Sequence, residues 1–146
     1  HTYRGYIKKM NNTLSLIILL IVFFVIITFV KKMIFNIMSK GKYKNIKLSE
    51  AIELYKNNKN IGLIDVRSYQ EVQYSGYIKN SINIALDDSS FDNKMSKLDK
   101  DKEYIVYCAS GSRSSYACMR MYKLGFTKIN NLTYAGYSAL NNALKK

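Results

Sequence analysis

Hydrophobic and polar positions divide the chain into two regions of different character. Residues 14–30 (LSLIILLIVFFVIITFV) form a run of seventeen positions without a charge. A helix of that length is about 25 Å long, close to the lower limit for crossing the core of a bilayer. A buried helix of a soluble protein rarely lacks a polar face in this way. The run therefore predicts one transmembrane helix, preceded by a flank at 1–13 and followed by a basic juxtamembrane segment at 31–44.

A cleaved secretory signal peptide is the main alternative for this run. Such a peptide needs small residues at its cleavage site, and Thr28-Phe29-Val30-Lys31 provides none. Three basic residues precede the run, whereas six follow it closely: Lys31, Lys32, Lys40, Lys42, Lys44 and Lys47. Because cytoplasmic flanks carry the excess of lysine and arginine, we expect an uncleaved, single-pass anchor in the cell membrane, with the C-terminal domain in the cytoplasm.

Residues 45–146 show a different pattern, in which short apolar runs alternate with amphipathic stretches. The runs predict strands at 61–66, 82–85, 104–107 and 128–132. The stretches between and around them predict helices at 49–57 (capped by Ser49), near 69–75, near 90–98, at 112–124 and at 138–144. Strands that alternate with helices indicate one α/β domain with a mostly parallel sheet.

Charge and composition narrow the classes of function. Residues 1–44 carry eight basic and no acidic side chains, so this segment contributes most of the net charge of +13. A lysine-rich stretch beside an anchor fits anionic lipid headgroups, whereas nucleic-acid grooves interleave arginine with aromatic residues. With two cysteines and one histidine in the chain, most zinc, haem and iron–sulfur sites are excluded. We therefore expect a membrane protein that binds no nucleic acid, no metal and no cofactor.

The strongest candidate for chemistry is Cys108, which ends an apolar strand. It is followed by four small or flexible residues and then by Arg113, at the start of a predicted helix. Small residues let several backbone N–H groups converge on one point, and a helix N-terminus and a guanidinium add positive charge. All of these lower the pKa of a thiol and favour a nucleophilic thiolate. A lone buried cysteine without a role is the structural alternative.

These residues resemble the rhodanese (thiosulfate sulfurtransferase) family in a single-domain form. The resemblance covers most of 45–146 and depends on LIDVR at 63–67 with Glu71 behind it, GYIKNSINIAL at 76–86, IVYCASGSRSSYA at 105–117, LGF at 124–126 and LTYAGYSAL at 132–140. It implies a central parallel sheet with helices on both faces. It also implies transfer of sulfane sulfur from a small-molecule or protein donor, such as thiosulfate or a persulfide, to a thiophilic acceptor.

The resemblance also implies roles for individual residues. Cys108 would carry the persulfide, and the loop Ala109, Ser110, Gly111, Ser112 and Arg113 would direct its amides at the sulfur. Asp65 and Arg67 are similar to the Asp-x-Arg pair of the family, and we expect Arg67 to pair with Glu71. The chain departs from the family where Tyr77, Lys79 and Asn80 replace the usual His, Pro and Gly.

Two other functions remain open for such a domain. Four residues separate Cys108 from Arg113, the loop length of the sulfurtransferases. In the related phosphatases and arsenate reductases this loop is one residue longer. Either of these activities is therefore a less favoured alternative. A binding or regulatory module without turnover is the other alternative, and the intact cysteine loop argues against it. Cys118 is expected to be a core residue, because its spacing from Cys108 fits neither a zinc pair nor a CxxC motif.

Overall fold

The computed structural model of the chain describes residues 2–146 and divides at Lys40 into two compact units. His1, the first residue of the predicted 1–13 flank, lies outside the described residues. The first unit is a single helix, α1 (Thr2–Ser39), and none of its most apolar stretch is buried. By length and composition α1 is able to cross a membrane. The predicted span at 14–30 is thus the middle of a longer helix, which continues through most of the basic segment.

The second unit (Gly41–Lys146) is built around a five-stranded sheet. Its strands are β1 (Lys44–Ile46), β2 (Gly62–Asp65), β3 (Ser81–Asn83), β4 (Tyr104–Tyr107) and β5 (Ile129–Leu132). All four pairings are parallel, in the order β1-β5-β4-β2-β3. Asp65 pairs with Tyr107. The segments that follow β2 and β4 therefore begin side by side at the carboxyl ends of these two strands.

Five helices cover this sheet: α2 (Leu48–Asn57), α3 (Tyr69–Ser75), α4 (Phe91–Ser96), α5 (Ser112–Lys123) and α6 (Tyr137–Leu144). Successive strand residues point to opposite faces, and the buried side chains separate accordingly into two clusters. Ile64 and Val106 pack with side chains of α4 and α5. Leu63 and Ile105 pack with side chains of α2 and α6. The parallel sheet with helices on both faces is therefore confirmed.

Differences from the sequence prediction are confined to the ends of elements and one edge strand. The expected N-cap at Ser49 is wrong, because α2 begins at Leu48 and Lys47 takes the cap position. There the Glu50 carboxylate accepts a hydrogen bond from the Lys47 N–H at 3.4 Å. Strand β1 was not predicted, since its three residues contain a single apolar side chain, Ile46.

Candidate active site

The candidate nucleophile, Cys108, directly follows β4 and lies beneath an exposed loop. Its side chain is buried, whereas Ala109, Ser110 and Ser112 are exposed. Gly111 has a φ of 94°, a left-handed conformation that glycine adopts without strain. This turn reverses the chain into α5, so the first turn of that helix faces the sulfur.

Hydrogen bonds converge on the sulfur atom from the loop and the helix. The Gly111 N–H donates to Cys108 Sγ at 3.1 Å, and the Ser114 hydroxyl lies 3.7 Å from it. Burial alone would raise the pKa of the thiol. The backbone amides of Ser110, Ser114 and Gly111, with the Ser114 hydroxyl, outweigh burial and hold the pKa of Cys108 below its usual value. The site therefore favours the thiolate.

Ser114 is a site residue that the sequence analysis did not identify. It is buried in the first turn of α5, and its side chain is turned toward the sulfur. Its position in the sequence could have indicated this role. Ser114 directly follows Arg113, in the first turn of α5, where its amide and its side chain both face the preceding loop.

The start of α6 packs against the backbone of the loop. The Tyr137 N–H donates to the Cys108 carbonyl oxygen at 2.8 Å. A Cβ atom at Gly136 would lie 1.9 Å from the Ala109 carbonyl oxygen and 2.6 Å from that of Cys108. Since real Cβ atoms do not approach backbone that closely, only glycine allows the loop and α6 to pack in this way.

Arg113 is held by a carboxylate from another helix. Its two terminal nitrogens donate to the two Glu71 oxygens at 2.6 and 2.7 Å, the bidentate geometry of strong ion pairs. These bonds from Arg113 lower the pKa of Glu71 to about 2, against the opposing effect of burial and with a further contribution from Ser68. The expected pairing of Glu71 with Arg67 is wrong, because α5 brings the Arg113 guanidinium to that carboxylate instead.

Arg67 pairs with Asp65, two residues before it. Its guanidinium donates to both carboxylate oxygens at 2.7 to 3.1 Å, and also to Ser75 Oγ and the Gly76 carbonyl oxygen at 2.8 Å. The Tyr137 ring stacks over it, 3.6 Å from the guanidinium carbon to the ring centroid. Both charged side chains are buried, so this network rigidly joins the end of β2 to the end of α3.

A groove of about 430 Å³ opens beside the loop. It is lined by Arg67, Glu71, Ser75, Ala109, Tyr137, Ser138, Asn141 and Asn142. The exposed surface of the lining is mostly apolar. Its two charged members are each paired with another side chain, Arg67 with Asp65 and Glu71 with Arg113. A molecule that reaches the loop from this side therefore meets apolar surface beside hydroxyl and amide groups.

The other cysteine and the acidic side chains show no sign of a second centre. Cys118 belongs to α5 and is buried in the core, and burial raises its pKa well above the usual value. Neither Cys118 nor Cys108 is part of a disulfide. Within residues 2–146, no three His, Cys, Asp or Glu side chains are grouped so that they could hold a metal ion.

Known proteins share both the sequence pattern and the fold of this unit. The model of the Rhodanese-like domain family matches residues 47–143. A Bacillus subtilis protein named "Putative sulfurtransferase YtwF" is 37% identical over 87 residues, which is 60% of this chain and 82% of that protein.

Two solved structures extend the comparison to three dimensions. A rhodanese-like domain protein from Staphylococcus aureus superposes with a TM-score of 0.57 at 26% identity, over 66% of this chain and 90% of that one. A polysulfide-sulfur transferase homodimer from Wolinella succinogenes gives a TM-score of 0.54 at 25% identity, over 67% of this chain and 73% of that one. The α/β unit therefore has the fold of these proteins.

Proposed function

Because this chain belongs to the rhodanese-like family, we propose that it is a sulfurtransferase in which Cys108 carries sulfane sulfur as a persulfide. One observation carries the proposal: a thiol with a lowered pKa lies at the end of β4, with donors from Ser110, Gly111 and Ser114 directed at its sulfur. A domain that only binds a partner has no need of such an arrangement. The sulfurtransferase names among its relatives agree with it.

The proposed reaction has two displacement steps at sulfur. The Cys108 thiolate attacks the outer sulfur of the donor, a new S–S bond forms, and the donor's S–S bond breaks. The electron pair leaves on sulfite if the donor is thiosulfate, or on a thiolate if it is a persulfide. A nucleophilic acceptor then attacks the outer sulfur of the Cys108 persulfide, and the Cys108 thiolate is the leaving group. The amides that stabilise the thiolate would stabilise the persulfide anion in the same way.

Steady-state turnover tests this proposal. The full chain in detergent micelles is supplied with a sulfane-sulfur donor and cyanide, and thiocyanate is measured. We expect Cys108→Ser to abolish turnover without loss of helical circular dichroism. Cys118→Ala is the matched control, because it removes the other thiol and leaves the loop intact. Turnover in Cys108→Ser equal to that of the unmodified chain would contradict the proposal.

We further propose that α1 anchors the protein as a single-pass span through 14–30, with the α/β unit in the cytoplasm. The support is the exposed apolar helix and the excess of lysine on its C-terminal side. Protease added to sealed inside-out vesicles should digest the α/β unit, whereas right-side-out vesicles should protect it. Protection in inside-out vesicles would contradict this orientation.

A further inference from the structure

A lysine lies at the entry to every strand of the sheet. Lys44 begins β1, and the other four strands, β2 to β5, are each preceded by one to three residues by Lys59, Lys79, Lys102 and Lys128. All five side chains are exposed. Because the strands are parallel, their amino ends share one end of the sheet. These lysines therefore lie together at the end of the sheet opposite Cys108.

The helices that cover the sheet add lysines to the same end. A helix that follows a parallel strand runs back toward the amino ends of the strands, and four of these helices have an exposed lysine in the last turn or at the C-cap: Lys56, Lys97, Lys123 and Lys145. The helix dipole favours lysine at such positions, but it does not account for the five lysines at the strand entries. We call these nine exposed side chains together the lysine face.

Contacts between the strand entries join the lysine face into one surface. The Tyr104 N–H donates to the Lys128 carbonyl oxygen at 3.0 Å, so the entries to β4 and β5 are adjacent. The Lys102 side chain reaches the entry to β2, where its Cε atom lies 3.5 Å from the position of a Cβ atom on Gly62. Lysines that are far apart in the sequence are therefore neighbours on this surface.

The lysine face keeps an excess of positive charge. Three carboxylates lie beside it in the loop before β4, those of Asp99, Asp101 and Glu103, and Glu103 accepts hydrogen bonds from the Asn58 and Asn130 amides at 3.3 and 3.0 Å. Within residues 2–146, none of the nine lysines is in an ion pair. The four ion pairs of the unit use carboxylates at or beyond the carboxyl ends of β2 and β3: Asp65–Arg67, Glu71–Arg113, Asp88–Lys94 and Asp92–Arg120.

The chain enters the α/β unit at this same end. Gly41 is the first residue of the unit and lies three positions before β1. The Lys42 ammonium lies 5.6 Å from the centroid of the Tyr122 ring, at the end of α5. Tyr122 is exposed, and tyrosine is enriched where lipid headgroups meet water. A face tethered to a membrane helix acts at high effective concentration, and each lysine near an anionic leaflet strengthens binding about fivefold.

We propose that the lysine face binds the anionic headgroups of the membrane in which α1 is anchored, and that the loop after Cys108 therefore faces the solvent. The inference goes beyond the sulfur chemistry and rests on the proposed anchor. All nine side chains are lysines, compact point charges that suit a diffuse layer of headgroups. Nucleic acid is the other polyanion for a basic face, but its grooves use arginine as well.

Acetylation of lysines in nanodiscs tests this orientation. The full chain is placed in phosphatidylcholine nanodiscs with or without phosphatidylglycerol, treated with an uncharged acetylating reagent, and mapped by peptide mass spectrometry. We expect phosphatidylglycerol to slow the acetylation of Lys59, Lys102 and Lys128 at least about fivefold, and high salt to restore it. Lys47, which is exposed at the carboxyl end of β1, is the internal control and should react at the same rate in both discs.

Two double variants separate the lysine face from net charge. Lys102→Gln with Lys128→Gln should return the acetylation rate of Lys59 in anionic discs toward its rate in neutral discs. Lys47→Gln with Lys94→Gln removes the same charge from the other end of the sheet and should leave the Lys59 rate unchanged.

The remaining outcomes of this experiment also decide the matter. Equal acetylation of the lysine face in both kinds of disc would overturn the inference and leave the anchor standing. A chain that enters neither kind of disc would overturn the anchor and the inference together. Protection by short duplex DNA in neutral discs, without protection by phosphatidylglycerol, would assign the face to nucleic acid and overturn its binding to lipid.

Discussion

The thiol of Cys108 is buried, yet its pKa is lowered, because donors from the loop and α5 offset the cost of burial. The candidate nucleophile and the small residues that surround it are predictable from the sequence, since both are local features of one segment. The partner of Glu71 cannot be predicted in this way, because Arg113 lies 42 positions away on α5. Asp65 and Arg67 were identified for the opposite reason, because they are two residues apart.

Ser114→Ala should raise the pKa of Cys108. The substitution removes a hydroxyl that favours the thiolate and keeps the Ser114 amide in place. The thiolate then forms at higher pH, so the midpoint of the pH profile for alkylation by iodoacetamide should move upward. Ser115→Ala is the matched control, because its hydroxyl donates to the Ser112 carbonyl oxygen instead. A midpoint unchanged by Ser114→Ala would show that the hydroxyl does not stabilise the thiolate.

The contact between the loop and α6 determines where the sulfur lies. Gly136→Ala should reduce turnover about a hundredfold, since a Cβ 1.9 Å from the Ala109 oxygen must displace the loop. Steady-state thiocyanate formation measures the loss, with circular dichroism as a check on folding. Gly5→Ala, where nothing lies within 4 Å, serves as the control and should retain full turnover. Wild-type turnover in Gly136→Ala would contradict this account of the contact.

The Glu71–Arg113 pair joins α3 to α5 and makes stability depend on pH. Glu71 has a pKa of about 2 in the folded chain and about 4.5 when unperturbed. A lowered carboxylate pKa contributes stability that is fully present above 4.5 and is lost as the pH falls toward 2. Because the pair is more than one-third exposed, the contribution should stay below about 1 kcal/mol.

Denaturation of the unmodified chain and of Glu71→Gln in detergent measures this contribution. The variant should be less stable at pH 7, and the difference in free energy of unfolding should shrink as the pH falls from 4.5 to 2. Asp92→Asn, which breaks the exposed pair with Arg120, is the reference for a pair away from the loop. A Glu71→Gln difference that is the same at pH 7 and pH 2 would exclude this ion pair as its cause.

The predicted strands that became β2 and β4 agree with the structure because their apolar runs are long enough to be buried on both faces. Strands β2 and β4 are buried throughout, and a run of four such residues is visible without any knowledge of the fold. Strand β1 cannot be predicted from the sequence pattern, because Lys44 and Asn45 are exposed. Its position depends on pairing with β5. Edge strands of this kind are defined by a partner far along the chain.

The molecule as a whole combines an α/β unit with a helix that is able to cross a membrane. This helix should determine which treatment releases the protein from a membrane. Phe23→Lys combined with Phe24→Lys places two charges near the centre of the apolar run, each costing about 2.5–3.5 kcal/mol in a bilayer. This variant should be released by alkaline carbonate, whereas the unmodified chain should need detergent. Phe23→Leu with Phe24→Leu is the control and should stay in the membrane. Release of the unmodified chain by carbonate would contradict the anchor.

Intact mass of the full chain tests the central claim most directly. After incubation with a sulfane-sulfur donor and removal of the excess, the chain should gain one sulfur atom, and peptide mapping should place it on Cys108. Cyanide should then restore the original mass and release an equal amount of thiocyanate, and Cys108→Ser should gain nothing. No gain with either thiosulfate or glutathione persulfide, or a gain located on Cys118, would contradict the account.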